Sequence, residues 1–571
     1  MSQNPAKTSA AELEPLEHRR LLAAGAYDPS FGGGAAVTIG FAEGSSVLND
    51  LLVMPDGGIL AGGYCIPRTG DGPQPPQLAL AKYSFFGNLD PSFGNDGQLV
   101  GTPRGIKHAL QLESFDDGSI LVLGSSVSGY STRANLLVKL TPQGRVDTAF
   151  GRNGRVNLPL SAAAVKIGPG NHIFVAGQLD QDGAIARYSP RGGLDLSFGS
   201  AGMVTTRDLF TFDADTTFFF DSLAIDSQGR VYAGGTHRDT GSGPSHGAQS
   251  EGGSGRSLVR SELDVRVVRL LPDSTLDAGF AGRGFFSAVS DAEIPRNGAA
   301  FGTVLIGADD LPIVATASSD GESAFITRLG SDGTPRPSFG DEGVAELNSA
   351  VARYPLAGAL AEQADGKILF AGVTERDGRT VISSERLTAD GEPDSSWGNG
   401  GVATVTYKRI PGEARVTAIA PDGTIVLGGV VGSVAPDGTD SRRFTLARLL
   451  REDGPAGQLI PKTLRQPQGG FVFDVVWRAD DGIDFATLDG GDLRVLCPDG
   501  VHRRVRLTWI ESTSDGRQAV VRYRLPAPDG VSFTRASNGL YVVKLQPGQV
   551  ADASGNFASR RVLGTIRVRI A

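Results

Sequence analysis

Asp28–Gly32 reads Asp-Pro-Ser-Phe-Gly, and the same five residues return at Asp90–Gly94. Variants stand at Asp147–Gly151 (DTAFG), Asp195–Gly199 (DLSFG), Asp277–Ala281 (DAGFA), Arg336–Gly340 (RPSFG) and Asp394–Gly398 (DSSWG). The aromatic position falls on Phe31, Phe93, Phe150, Phe198, Phe280, Phe339 and Trp397, at spacings of 62, 57, 48, 82, 59 and 58 residues. Recurrence at a near-constant period marks a repeat architecture, in which each copy buries its apolar faces against its neighbours.

Two further stations recur in every copy. About 25–30 residues after the aromatic comes a turn and then an apolar strand, as in PDGGILAGG from Pro55, ADGKILFAG from Ala364 and PDGTIVLGG from Pro421. Asp-Gly suits a tight turn, because Gly accepts positive φ and Asp bonds its own backbone. The strand after it is apolar at every position, as expected where both faces are covered. A second strand ends in a basic residue: Lys82, Lys139, Arg187, Arg269, Arg328, Arg386 and Arg448. The first six lie eight residues before the next string, and five of them meet an Asp there. This offset predicts an ion pair across a turn, with a ring of ligand-binding cations as the rival reading. Arg336 replaces the acid in one copy, so the pair is expected to be missing there.

Each period thus holds about four short strands, which predicts an all-β chain with a seven-bladed β-propeller of four-stranded blades. A β-helix is the rival, but its coils are shorter. The repeats open on a strand at 32–39 and end on one at 444–450. Pairing these two would close the ring and remove both free edges.

The unit, LDxSFGxxGxV followed by PDGKILVAG and RLxxDG, resembles the delta-60 repeat of large bacterial surface and secreted proteins. That resemblance covers 28–454 and implies a propeller, with no shared catalytic residues to carry over. LEPLEHRRLLAAG (Leu13–Gly25) resembles the LEPR-XLL motif at the start of many planctomycete surface proteins, although Leu16-Glu17-His18 intervenes. It implies a sorting or processing tag within 1–27. Alternatively Arg20, eight residues before Asp28, belongs to a strand. Residues 455–470 read as a linker. From 471 to 571, segments such as FVFDVVWR, QAVVRYRLP and LYVVKL alternate as half-buried strands and resemble a bacterial Ig-like β-sandwich.

The remaining chemistry is sparse. The 571 residues include 79 Gly and 32 Pro, enough length for two or three domains, and carry a net charge of −9. That charge argues against a general nucleic-acid binder, which needs a basic face. Cys65 and Cys497 cannot form a disulfide framework or a zinc ligand set. No apolar run reaches transmembrane length. The six histidines, His18, His108, His172, His237, His246 and His502, show no metal-ligating spacing. Gly243–Gly247 fits GxSxG but lies in a Gly/Ser-rich insertion, 237–262, without the strand and helix that motif needs. Asp480, Asp481, Asp484, Asp489, Asp492 and Asp552 could include calcium ligands, but no known loop spacing is present. No catalytic, cofactor-binding or metal-binding residue is therefore assigned, and no cofactor is expected.

The expectation is a non-catalytic, extracellular or cell-surface bacterial protein. It would bind an unidentified protein or polysaccharide through a propeller face and act as a scaffold. The alternative is an extracellular polysaccharide hydrolase or lyase with its site at the channel mouth. Two carboxylates clustered at that mouth would favour the enzyme, and a channel lined by small residues would favour the binder.

Overall fold

In the computed structural model, the described residues are 24–570 apart from 29–30, 34, 42–43, 55–56, 71, 127–133, 211–215, 240–261, 292–300, 318–323, 348–358, 377–378, 408–409, 422, 436–439, 452–454, 461–462, 466–469, 480–481, 528–531, 547–548, 554–557 and 559–561. Residues 13–23 of the LEPR-XLL-like stretch and the GxSxG string lie outside them. Among the described residues no helix is long and apolar enough to cross a membrane.

Every period folds as an antiparallel meander. The first sheet takes Ser45–Val53, Ile59–Ile66, Gln77–Tyr83 and Gln98–Gly101 in that order. Similar four-stranded sheets begin at Thr216–Ile225, Phe301–Ile306 and Leu360–Glu362. The copies with the 48-residue period differ. Their strands form one seven-stranded sheet, because Arg155–Ile167 is continuous. Its start pairs with Ala134–Leu140 and its end with Ile173–Leu179. The short period leaves no loop between the outer strand of one copy and the inner strand of the next.

The strand after each turn is the centre of its sheet. Ile120–Ser125, Pro312–Ala317 and Ile425–Val431 are buried at every position. The preceding strand carries a bulge at Asn49, Leu110, Ala163, Asp221 and Arg415. The Gly in the strand beside it makes room. A Cβ on Gly63 would stand 2.0 Å from the Val47 carbonyl oxygen, and one on Gly429 2.0 Å from that of Glu413. The repeated Gly of ILAGG and IVLGG is thus what lets the bulged backbone approach.

The last sheet is completed by the start of the chain. Val37–Ile39 pairs antiparallel with Arg443–Leu449, in the register Val37↔Leu446, Thr38↔Thr445, Ile39↔Phe444. Around it the Asp28 N–H donates to the Arg448 carbonyl at 2.8 Å and the Leu450 N–H to that of Ala26 at 2.9 Å. The strand is shorter than the expected 32–39, since Phe31 and Gly32 belong to a turn.

The insertion in the long period emerges from a hairpin. His237–Asp239 and Glu262, expected within the loop, extend strands Val231–Asp239 and Glu262–Leu270.

Beyond the repeats, two sheets enclose one core containing Phe473, Trp477, Tyr523 and Tyr541. One orders Ala456–Leu459, Gly470–Arg478, Gln518–Pro526 and Arg506–Ser512. The other orders Thr463–Arg465, Val562–Arg569, Gly539–Leu545, Leu493–Leu496 and His502–Arg504. Residues 455–470, expected as a linker, therefore supply two strands of this unit. Their polar and Pro-rich flanks hid the short edge pairing, which needs few apolar side chains of its own.

Candidate functional site

The basic strand ends and the DxSFG acids meet as the offset predicts. Lys82–Asp90 closes to 3.0 Å, Lys139–Asp147 to 3.8 Å, Arg187–Asp195 to 2.8 Å, Arg269–Asp277 to 2.7 Å and Arg386–Asp394 to 2.8 Å. Arg448 has no downstream string and takes Asp28 at 2.7 Å. Where Arg336 replaces the acid, Asp309 pairs with both Arg328 (3.1 Å) and Arg336 (2.7 Å), so the missing partner is supplied from another turn.

The device has three further parts. The other oxygen of the Asp accepts from the residue two positions on, as in Asp195 with the Ser197 N–H (3.1 Å) and hydroxyl (2.7 Å). The guanidinium lies over the string's aromatic ring, 4.3 Å from the Phe280 centroid for Arg269 and 4.6 Å from Trp397 for Arg386. Arginine also reaches the next sheet: Arg269 Nη1 donates to the Ser331 carbonyl (2.6 Å) and Arg448 Nη1 to that of Phe85 (2.6 Å). A lysine has no second fork for this bond. The aromatic rings are buried, and each packs on a turn of the following copy. A Cβ on Gly87 would stand 3.0 Å from the Phe31 ring, and one on Gly25 3.2 Å from the Trp397 ring. These cations are held in internal bonds, and their arrangement is a clamp between adjacent sheets.

The inner strands adjoin one another in a closed cycle around the axis. In three copies the side chain of the residue after the bulge bridges to the next inner strand. Asp50 Oδ2 accepts from the Leu112 N–H at 2.7 Å, Gln111 Oε1 from the Val165 N–H at 2.7 Å, and Ser222 Oγ from the Val304 N–H at 2.9 Å. Asp50 Oδ1 also accepts from the Leu51 N–H at 2.9 Å. Burial pushes the Asp50 carboxyl up to about 7, against the lowering effect of these bonds and of nearby Lys166. Two positions further along, Lys166 Nζ donates to Glu113 Oε1 at 2.5 Å, and that carboxylate raises the Lys166 pKa. Opposite the same second-strand position, the other copies carry Leu52, Ala224, Leu305, Ala361 and Ala418.

Asp50, Glu113 and Lys166 thus form a charged cluster on the inner strands, which the sequence reading did not single out. At the position of Glu113 and Lys166 the other copies carry small or apolar residues, but bringing Asp50 to that pair needs the bulge register. Chemically, a carboxyl titrating near neutrality could exchange protons, but both Asp50 oxygens already hold backbone N–H groups.

Among the described residues no group of three or more His, Cys, Asp or Glu could hold a metal ion. Asp484 caps a short turn through the Ala486 N–H (3.0 Å), and Asp492 is buried with the Tyr523 hydroxyl on its Oδ2 at 2.5 Å. Burial raises the Asp492 pKa to about 6. Asp489 donates its N–H to Asp492, and Asp552 sits buried in a bridge to Ile483. Asp480 and Asp481 lie outside the described residues, as do His18 and His246. His108 is buried and stacked on Tyr64 at 4.6 Å. Cys65 and Cys497 are buried free thiols.

A family profile described as "Domain of unknown function (DUF5122) beta-propeller" matches residues 116–150, 252–280 and 363–396, and each match ends at or beside a DxSFG aromatic. No curated protein matches the chain. Among solved structures, the aldose sugar dehydrogenase of Streptomyces coelicolor is similar at 13% identity and a TM-score of 0.32, over 72% of this chain and 98% of that one. The α-L-arabinanase of Penicillium chrysogenum is similar at 9% and 0.36, over 72% and 97%. Sqt1 of Chaetomium thermophilum is similar at 12% and 0.37, over 72% and 97%. Likeness at this level assigns no chemistry. The cycle of repeated antiparallel sheets and the matched profile together make the repeat region a β-propeller.

Proposed function

We propose that this chain is a non-catalytic binding and scaffolding protein of a bacterial surface or secreted fraction. Its propeller has seven blades of delta-60-type repeats and offers a face to a protein or polysaccharide. An Ig-like sandwich follows it, and a LEPR-XLL-like tag precedes it. The observation that carries this reading is the equivalence of Asp50, Gln111 and Ser222. Each makes the same strand-to-strand bond, and neither Gln nor Ser titrates near neutral pH. Asp50 is thereby accounted for as structure, as Arg187, Arg269, Arg386 and Arg448 are by their clamps.

The rival, an extracellular polysaccharide hydrolase or lyase, has Asp50 as its best acid because that carboxyl titrates near 7. The test is to incubate the full chain with a panel of neutral and acidic polysaccharides, scoring both retention and release of new reducing ends. Retention without release is the expected result. Release that Asp50→Asn abolishes would replace this reading with the enzyme.

A further inference from the structure

We propose that the outer face of the five-stranded C-terminal sheet binds a linear acidic polysaccharide. The site is separate from the propeller face of the proposed function and does not depend on it.

Leu493, Val495, Tyr541, Val543, Ile566 and Val568 fill the core between the two sheets. Their alternates along the strands therefore face outward. In register across three adjacent strands, one outward row runs Lys544, Arg494, Arg504. The row beside it runs Thr565, Val542, Leu496, His502, and the next sets Leu540 opposite Arg567.

This face holds cations without acids to match them. Its five strands read TLR, VLGTIRVR, GLYVVKL, LRVL and HRR, and none contains Asp or Glu. Among the described residues, no acidic side chain pairs with Lys544, Arg494, Arg504, Arg567 or Arg569. Arg494 commits one nitrogen locally, Nη1 donating to the Leu493 carbonyl at 3.3 Å. Arg504 and Arg567 are exposed, and Lys544 and Arg494 are half-buried. Arg494 stands between two like charges, each directly opposite it on a neighbouring strand, and such pairs repel. A row of anions lying along these cations relieves the repulsion and gains charge-assisted hydrogen bonds.

The layout of the face selects the polymer. Neighbouring strands lie about 4.8 Å apart, so the three cations follow one another at that short interval across the sheet. A ligand that matches them is extended and carries its charges at regular spacing, as a chain of acidic sugars does. Beside the row, Leu540 is 47% exposed and Val542 and Leu496 are half-buried, a surface for the apolar faces of sugar rings. Single-stranded nucleic acid is held on aromatic platforms. The one Phe, Tyr or Trp of these strands, Tyr541, is buried. A lipid surface takes up apolar side chains that stand clear of the protein, which half-buried Val542 and Leu496 do not.

The test is affinity electrophoresis of the full chain through gels containing alginate, dextran sulfate or neutral dextran. Retardation by an acidic polymer and none by neutral dextran is expected, weakening as salt is added. The two acidic arms separate carboxylate from sulfate. Arg494→Gln/Lys544→Gln should weaken retardation about 10-fold, through the loss of two charge-assisted contacts. Arg506→Gln/Arg517→Gln removes the same charge from the other sheet and its turn, and should leave retardation close to that of the wild type. Arg504→Glu, on the exposed edge strand His502–Arg504, should also weaken retardation, and it serves if the Arg494/Lys544 variant does not fold. Circular dichroism and melting show which variants are folded. The inference is overturned if neither acidic polymer retards the wild type, if Arg504→Glu is retarded as the wild type is, or if the Arg506/Arg517 variant loses as much as the Arg494/Lys544 variant. Tighter binding to single-stranded or duplex DNA than to both acidic polymers would also overturn it.

Discussion

Arg448 Nε meets Asp28 Oδ2 at 2.7 Å across 420 residues of chain, and neither side chain is exposed beyond 3%. It is the pair of the other copies, except that here it joins the two ends of the repeat region. Lys82–Asp90, with side chains 15% and 25% exposed, is the same device in a wetter setting. Removing one partner of a buried pair strands a charge and costs about 3–5 kcal/mol, whereas exposed pairs contribute about 1 kcal/mol or less. Asp28→Asn and Arg448→Met should therefore lower propeller stability by about 3–5 kcal/mol, and Lys82→Met by about 1 kcal/mol. Denaturant titration orders the three. Equal losses would mean that burial does not set the strength of the clamp.

Asp50 gives a pH dependence of definite sign. Its carboxyl titrates at about 7 in the fold against an ordinary 3.8, so the native state binds the proton more tightly than the unfolded chain. Its contribution to stability is complete below about pH 4, falls as the pH rises towards 7, and is lost above that. Asp50→Asn keeps an oxygen for the Leu112 N–H and removes the titration. At pH 8 the variant should be more stable than the wild type by about 1–3 kcal/mol, with the difference vanishing by about pH 4. Melting curves across that range decide it. Parallel curves would mean that the carboxyl titrates in its ordinary range.

Gly391 sits at φ +87°, and a Cβ there would stand 2.6 Å from the Gly340 nitrogen of the neighbouring copy. Gly400, at φ +64°, has open space around it. Left-handed backbone costs an L-residue about 1–2 kcal/mol. Gly400→Ala should cost about that much and Gly391→Ala at least about 2 kcal/mol more, because backbone must shift as well. If the two variants melt together, the sheet-to-sheet contact is looser than its geometry indicates.

The strands at Ala456–Leu459 and Thr463–Arg465 locate the start of the C-terminal unit. A fragment of residues 455–571 should fold alone with a single cooperative transition. A fragment of 471–571 lacks one edge strand from each sheet and exposes Trp477, so it should melt at least 10 °C lower or not fold. Calorimetry of the two separates these outcomes, and identical melting points would return 455–470 to the role of a linker.

Much of the fold was legible because repetition multiplies weak signals. A single DPSFG says little, but seven aligned copies fix the turn, the buried ring and the eight-residue offset together. Four things were not legible. Asp309 substitutes for the missing acid at Arg336 through space, from a turn with no fixed offset to that string. The continuous strand Arg155–Ile167 contains Pro159, which reads as a break in a one-dimensional pattern. The inner-strand cluster needed the bulge register, which places Asp50 within reach of Leu112. The outward rows of the C-terminal sheet could be read from alternation, but their cross-strand partners could not.

The central claim is that the start of the chain closes the ring on the last sheet. Deleting residues 24–40 removes Asp28, Phe31 and the strand Val37–Ile39, exposing the edge of Arg443–Leu449. Differential scanning calorimetry of that variant beside the full chain is the direct test. The account predicts that the propeller transition drops by more than 10 °C, or disappears, while the transition of the C-terminal unit stays where it was. A propeller transition at its original temperature would contradict the closure.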